Sequence, residues 1–347
     1  MWLRQVAVLI LVATLSGCSQ VSYYLQATSG QIELIRKRQP VTDLITNPAT
    51  TPELKRKLEL ATRIRAFASS DLGLPDNKTF QTYTDIERPY VTWNVVATPR
   101  YSLAAKTWCF PVAGCVAYKG YFSEAGAQKL NRELLDQEYD TFVYGVTAYS
   151  TLGWFSDPLL NTFLSYPESN LAALLFHELA HQQVYVKDDS DFNEAFATAV
   201  ELEGLQRWLR QNTSTDKFDQ YRSYRTRDNR ITAMVLQYRE TLQSLYNNQQ
   251  DESVLESGKQ QLFRDMINQY GLIKASGMGT QYYDWWFAQS LNNAHLLSVA
   301  TYYQLVPAFT ELLKQQEYDL SRFYQRVSEI GKLPNQARQD LLLKLVN

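Results

Sequence analysis

Between Phe176 and Gly204 the chain reads F-H-E-L-A-H-Q-Q-V-Y-V-K-D-D-S-D-F-N-E-A-F-A-T-A-V-E-L-E-G. No other stretch restricts the fold so tightly. His177 and His181 stand four apart, Glu178 sits beside the first, and the chain has only three His in 347 residues. Positions i and i+4 of a helix share a face, so a helix here lets both imidazoles hold one metal ion. Glu178 is then placed to act as general base on a metal-activated water. The bland alternative is a chance H-E-L-A-H on an amphipathic helix. It leaves two packed His without partners, which is costly.

A catalytic Zn2+ site commonly uses three protein ligands and keeps one position open. Glu194 lies thirteen residues after His181 and reads as the third ligand, returned to the metal by a helix–turn–helix. Glu201 lies two helical turns further on, so both carboxylates can share a face. Asn193, Asp188, Asp191 and Glu201 are the polar stock for orienting the metal-bound imidazoles. Asp191 also reads as a helix cap, and Asp188 as a solvated loop residue. Glu201 and Glu203 cannot face the same way.

Balanced charge (net −2, pI about 6.0) and the lack of a polybasic tail argue against a nucleic-acid partner. Hydrophobic residues make up 45% of the chain, enough for a sizeable core. Residues 1–17 read as an export signal: Arg4 is followed by an apolar run from Val6 to Leu15 that is too short to span a bilayer. Leu15-Ser16-Gly17-Cys18 resembles a bacterial lipobox, with Cys18 as the lipidated first residue of the mature chain. The alternatives are an ordinary secretory signal or an uncleaved anchor. Ser19 rather than Asp follows the Cys, which points to the outer membrane, facing the periplasm. In that oxidising compartment Cys109 and Cys115 read as a disulfide, with two buried thiols as the alternative.

The remaining chain divides into an N-terminal helical segment (18–75), a β-rich part leading into the metal helices (76–212) and a helical part (213–347). Val21–Arg38 reads as a helix with Tyr24, Leu25, Ile32, Leu34 and Ile35 as its apolar positions. A second helix opens at Thr51, its N-cap, with Pro52 next. Tyr90–Thr98 reads as a strand, and residues 106–122 as a hairpin around Ala113-Gly114. Ser123–Asp136 is a helix capped by Ser123 that turns Leu130, Leu134 and Leu135 inward. Thr141–Tyr149 is a strand, either interior or an edge able to take a peptide backbone as an extra strand. Long helices follow from Thr215 and from Glu252, then a Gly-rich break at Ser276–Gly279. The block L-N-N-A-H-L-L-S-V-A-T-Y-Y offers His295, Tyr302 and Tyr303 as donors for a developing oxyanion, although its leucines also form a core stripe. Arg222, Arg225, Arg227 and Arg230 read as a solvated helix face, and Trp285-Trp286-Phe287 as packing rather than a pocket lining.

H-E-L-A-H followed by N-E-A-F-A-T-A-V-E resembles the gluzincin metallopeptidases. In the large aminopeptidase group of that clan the second motif reads N-E-G-F-A-x-x-x-E. Asn193, Glu194, Phe196, Ala197 and Glu201 match it, and Ala195 replaces the Gly. The chain as a whole is similar to a family of bacterial lipoproteins catalogued as putative zinc aminopeptidases. The lipobox, T-W-C-F-P-V-A-G-C-V-A-Y-K-G-Y-F, T-A-Y-S-T-L-G-W-F-S-D-P-L-L and N-N-A-H-L-L-S-V-A-T-Y carry that resemblance. It implies a mainly helical α+β zincin-like fold, one Zn2+ on His177, His181 and Glu194, and a short peptide cleaved at its N-terminus. One motif departs from the pattern. The large group has a G-x-M-E-N segment whose Glu holds the substrate's amine, and none occurs here. Upstream of His177 the chain offers Glu124, Glu133, Glu138, Asp140, Asp157 and Glu168, none in that context. An endopeptidase of the cell envelope and a non-catalytic zinc-stabilised lipoprotein are the alternatives.

Overall fold

The computed structural model describes residues 21–345 except 111–113, 149, 152–154, 213–214 and 249–250. The export signal, Cys18, Ala113, Tyr149, Gly153 and Trp154 therefore lie outside the described residues. Among those described, the chain is mainly helical with small sheets, an α+β architecture.

Helix α1 covers residues 21–36, followed by β1 (Gln39–Pro40), α2 (Val41–Thr46) and α3 (Pro52–Ser70). Thr51 caps α3 by accepting from Leu54 N at 3.3 Å, which satisfies a free N–H of the first turn. The β-rich part holds β2 (Thr82–Thr84), β3 (Thr92–Pro99), β4 (Trp108–Phe110), β5 (Gly114–Val116) and β6 (Tyr118–Tyr121). Next come α4 (Glu124–Leu135), β7 (Tyr139–Val146), β8 (Leu159–Leu160) and α5 (Asn161–Leu164). The helices that carry the expected metal ligands are α6 (Glu168–Gln183) and α7 (Ser190–Asn212). Beyond them lie α8 (Thr215–Asn248), α9 (Glu252–Ile273), α10 (Gln281–Phe287), α11 (Asn293–Tyr303), α12 (Val306–Gln315), α13 (Leu320–Gly331) and α14 (Asn335–Lys344). The Gly-rich break is a π turn over Lys274–Met278, where Gly277 takes φ +77°.

Helices α6 and α7 lie at the centre of the largest core. Leu171, Ala172, Leu175, Phe176, Leu179 and Ala180 of α6 are all buried, so this helix is apolar almost all round, as an interior helix must be. Alanines 195, 197 and 199 leave α7 slim between Phe192, Phe196 and Val200. At Gly204 a Cβ would come within 2.7 Å of Leu72 and 2.9 Å of Phe176, so only glycine permits this approach. Leu58, Ala61, Ile64 and Phe67 of α3 close one side, with Phe67 against Phe176 and Trp208. Phe309, Phe323 and Tyr324 of α12 and α13 close another, around Phe196.

The principal sheet has the order β6-β3-β7, all antiparallel. Its registers align Tyr118, Val96 and Phe142 in one row and Gly120, Asn94 and Tyr144 in the next. Side chains alternate across a strand, so each row shares a face. One face packs Val95 and Ala97 on Ala127 and Leu134 of α4, while the other packs Val96 and Phe142 on Ala294 and Leu297 of α11. Both β6 and β7 are outer strands of this sheet. Cys109 and Cys115 face each other in the β4–β5 hairpin and are joined by a disulfide.

Several expectations are corrected. Leu135 is exposed, because Ala127 and Leu134 set the inward stripe of α4 and Leu135 lies a further 100° round. Of the apolar positions expected on α1, only Leu34 is buried. A small sheet of order β1-β2-β8 has strands of two or three residues, too short for any periodicity to register. Trp286 and Phe287 join the core of the C-terminal helices, whereas Trp285 is half exposed. Arg222 is exposed, but Arg225 reaches Asp228 at 3.4 Å.

The start of α7 is fixed by a buried ion pair. Asp189 Oδ1 accepts from Phe192 N at 3.1 Å, and its Oδ2 accepts from Arg338 Nε and Nη2 at 2.8 and 2.6 Å. Arg338 also donates to the carbonyls of Gly331 and Leu333, so the guanidinium is well satisfied although buried. Replacing Arg338 with Met leaves buried Asp189 without its cation, with Phe192 N and Asn335 Nδ2 still donating to it, and lowers stability by about 3 kcal/mol. The double variant R338M/D189N recovers much of that loss, since Asn keeps a cap acceptor without a charge. Urea unfolding midpoints of the three proteins test this; equal midpoints for R338M and the wild type would refute it.

Candidate metal centre

The loop between α6 and α7 decides where Glu194 falls. Asn193 turns its side-chain amide back onto Val186, accepting from Val186 N at 2.8 Å and donating to Val186 O at 2.7 Å. Asp188 adopts φ +66°, a left-handed conformation tolerated by Asp, and its Oδ1 accepts from Cys115 N at 2.5 Å. So fastened, the loop reverses the chain and lays α7 against α6.

The antiparallel crossing brings Glu194 to the two imidazoles. His177 Nε2 lies 3.2 Å from Glu194 Oε2 and 3.2 Å from His181 Nε2, and His181 Nε2 lies 3.6 Å from Glu194 Oε2. One ligand atom from each of these residues falls within 4.8 Å of the others, a group that can hold a metal ion. Both histidines are buried. Glu201 accepts from His177 Nδ1 at 3.1 Å, two turns along α7 from Glu194. With its proton on Nδ1, His177 presents the Nε2 lone pair to the cluster, the arrangement expected of an oriented ligand. Two Nε2 lone pairs and a carboxylate converging on one point is a donor set suited to a borderline cation.

The charges around the cluster follow from this packing. Burial pulls His177 down, but hydrogen bonds and charge from Glu194 and Glu201 outweigh it and raise the imidazole well above its ordinary value. Burial pushes Glu194 up, yet the two histidines hold it well below the usual carboxylate range. Glu178, next along α6, is raised by burial against the pull of His181 and His177, and it takes a hydrogen bond from Ser150. Unlike the histidines, Glu178 retains partial exposure.

Tyr302 is brought to this centre. Its ring centroid is 6.4 Å from that of His177, and the charge of Glu194, ahead of burial, raises its hydroxyl well above the usual value. Three further tyrosines feel the same carboxylate. Tyr118 on β6 is raised by burial and then by Glu194, Tyr144 on β7 is pushed up to about 12 by burial, and Tyr185 is raised by burial and by Glu194. All stay protonated at neutral pH and so remain hydrogen-bond donors. Sequence reasoning missed Tyr118, Tyr144 and Tyr185. Tyr118 and Tyr144 belong to the sheet face that α11 covers, which only the strand register reveals. Tyr185 lies two residues past the end of α6, so helical spacing from His181 does not place it either.

Other candidates lie elsewhere. His295 completes a capping box at the start of α11: its Nδ1 lies 3.0 Å from Asn292 Oδ1, and Asn292 N donates to it at 3.3 Å. Its ring stacks on Phe142 at 4.1 Å, so it serves the fold of α11 rather than the metal centre. Tyr303 points into the C-terminal core. Asn193 and Asp188 spend their side chains on Val186 and Cys115 rather than on the histidines. Asp191 bonds Thr301, and the cap of α7 is Asp189 instead. Of the upstream acids, Asp140 pairs with Lys259 at 2.5 Å and Glu168 accepts from Trp208 Nε1 at 3.1 Å. Asp157 is raised to about 6 by burial while Thr151 bonds both its oxygens.

His177, His181 and Glu194 thus form a group that can hold a metal ion, with Glu178 beside it, on a mainly helical α+β scaffold. The chain belongs to the family described as "Putative aminopeptidase", whose model matches residues 22–342. No curated protein and no solved structure matches it.

His295 also sets a pH response. Burial pulls its imidazole down to about 4, against 6.5 unperturbed. The folded state therefore refuses a proton that the unfolded state accepts, and stability present above pH 6.5 is lost as pH falls towards 4. The variant H295F keeps a ring on Phe142 but cannot titrate. Between pH 7 and pH 4 its stability changes less unfavourably than that of the wild type by about 2–3 kcal/mol. Denaturant titrations at both pH values test this, and parallel losses in the two proteins would contradict it.

Proposed function

We propose that this chain is a zinc-dependent peptidase with a zincin-like catalytic half, acting as an aminopeptidase on short peptides. The observation that carries the reading is the convergence of His177, His181 and Glu194 within 4.8 Å beside Glu178. Family membership supports peptide hydrolysis. The lipobox-like sequence around Cys18 supports a lipid anchor in the bacterial envelope, on the outer membrane and facing the periplasm.

His177, His181 and Glu194 would hold the ion, and Glu201 fixes the His177 ring and its tautomer. Zn2+ held there would polarise the scissile carbonyl and acidify water. Glu178 takes a proton as the water oxygen bonds to the carbonyl carbon. It then delivers that proton to the amine as the C–N bond breaks. The Tyr302 hydroxyl donates to the oxyanion, with Tyr118 and Tyr144 close by. An outer strand of the principal sheet offers backbone groups to an extended peptide.

An endopeptidase is the second reading. Its specific support is that Asp140, Asp157 and Glu168 are all engaged within the fold, so none of these three is free to hold a substrate amine.

Purified protein with bound zinc is expected to release amino acids from peptides. The variant E178Q retains one equivalent of metal and loses at least about a hundredfold to ten-thousandfold in kcat. Equal activity of E178Q and wild type would remove the enzyme reading. E194A and H181A lose the metal, seen by elemental analysis. Y302F lowers kcat about a hundredfold with little change in KM. Comparing a free with an N-acetylated peptide separates the two specificities: blocked cleavage of the acetylated form supports the aminopeptidase, and equal cleavage the endopeptidase.

A further inference from the structure

Helix α1 is pinned by one face and bare on the other. On the inner side Gln26 accepts from Phe122 N at 2.9 Å, and a Cβ at Gly30 would strike the Phe122 ring. Tyr23 packs on Tyr121 and Phe110, and Leu34 enters the main core. The opposite side carries Val21, Tyr24, Leu25, Ile32 and Ile35, each between 39% and 66% exposed. At 100° per residue these five fall within about 100° of arc, a continuous apolar stripe. A stripe of this kind on a fixed helix is not scattered surface apolarity; it marks a surface with a partner.

Two observations identify the partner as a lipid bilayer. The first is the chain that leads into the helix. Val21 follows Cys18 by three residues, and the apolar run Val6–Leu15 comes just before. Three residues extend at most about 11 Å. With the lipid anchor proposed above on Cys18, the first turn of α1 is tethered at the membrane surface. The second is charge. The stripe and its exposed flanks (Ser22, Thr28, Ser29 and Arg36) contain no acidic side chain. The helix's one acid, Glu33, is turned aside onto Arg88, whose Nη1 meets both carboxylate oxygens at 2.9 Å. The cation that remains beside the stripe is Arg36, which suits anionic headgroups. Tyr24 is of the amphipathic type favoured at the headgroup level.

We propose that the outer face of α1 lies in the membrane interface, with Leu25 and Ile32 at acyl-chain depth, and holds the protein in one orientation on an anionic bilayer. This takes the membrane anchoring proposed above as its starting point. A tether alone leaves a protein free to swivel; a tether followed at once by an embedded helical face does not.

The test uses the full chain, purified with its own attached lipid and reconstituted into vesicles of phosphatidylethanolamine and phosphatidylglycerol. Single-site variants L25C, I32C and, at the exposed Glu59 of α3, E59C carry an environment-sensitive fluorophore. Brominated acyl chains are expected to quench the labels at 25 and 32 several-fold more than the label at 59. Quenching at 25 and 32 no greater than at 59 overturns the proposal. So does the absence of lipid quenching together with energy transfer between labels on separate copies, which would make the face a contact between two chains. The mass of the Cys18 peptide reads the anchoring separately. If Cys18 carries lipid and positions 25 and 32 are unquenched, the anchor stands and the docking fails. If Cys18 carries none and both positions are quenched, the docking stands and lipidation fails.

Discussion

The crossing of α6 and α7 is the constraint on which the site depends. Neither helix can bind a cation well alone, since His177 and His181 offer only two donors and Glu194 is on the other helix. What sets the crossing is local and polar. Asn193 fills the hydrogen-bonding capacity of Val186 with both ends of its amide, and Asp189 caps the first turn of α7 while gripping Arg338. Apolar packing then holds what the loop has aimed: slim alanines and Gly204 let the axes approach, and the large aromatic side chains around them fix the depth. A buried polar clamp specifies direction in a way that non-directional apolar contact cannot.

Within this frame the electrostatics of the centre follow an order. Glu201 and Glu194 sit two turns apart on one face of α7 and flank His177 on its two ring nitrogens. One carboxylate fixes the tautomer, and the other joins the imidazole lone pairs. The tyrosine hydroxyls nearby face this negative charge and stay protonated, which leaves the wall of the centre rich in donors and free of added charge. Glu178 stands beside them, raised by its burial yet held from rising further by the imidazoles next to it.

Much of this was legible in the sequence, for reasons that can be named. Four-residue spacing places His177 and His181 together on any helix, and Thr51 and Ser123 announce helices by local chemistry. The seven residues between Glu194 and Glu201 put both on one face, but which histidine Glu201 would meet was not legible. What spacing cannot show is the sheet register, and so Tyr118 and Tyr144 went unseen. Asn193 stands inside the second motif but acts on the loop backbone, because a motif records which residues occur together and not which atoms meet. His295 drew notice as a rare residue near Tyr302, and its ring is spent on a capping box and on Phe142. The apolar positions of α1 were legible, but not that Leu34 alone of them turns inward, since periodicity gives the face of a helix but not what lies against it.

Tyr302 reaches the His-His-Glu group from a helix that belongs to no single core. Helix α11 packs directly on α7, on the sheet through Ala294 and Leu297, and on the C-terminal helices through Leu296 and Val299, while its Thr301 bonds Asp191 of α7. The separation between Tyr302 and His177 is therefore fixed by three packing surfaces at once. A change of volume on any one of them shifts the phenol against the imidazoles, so residues that touch neither group still set their spacing.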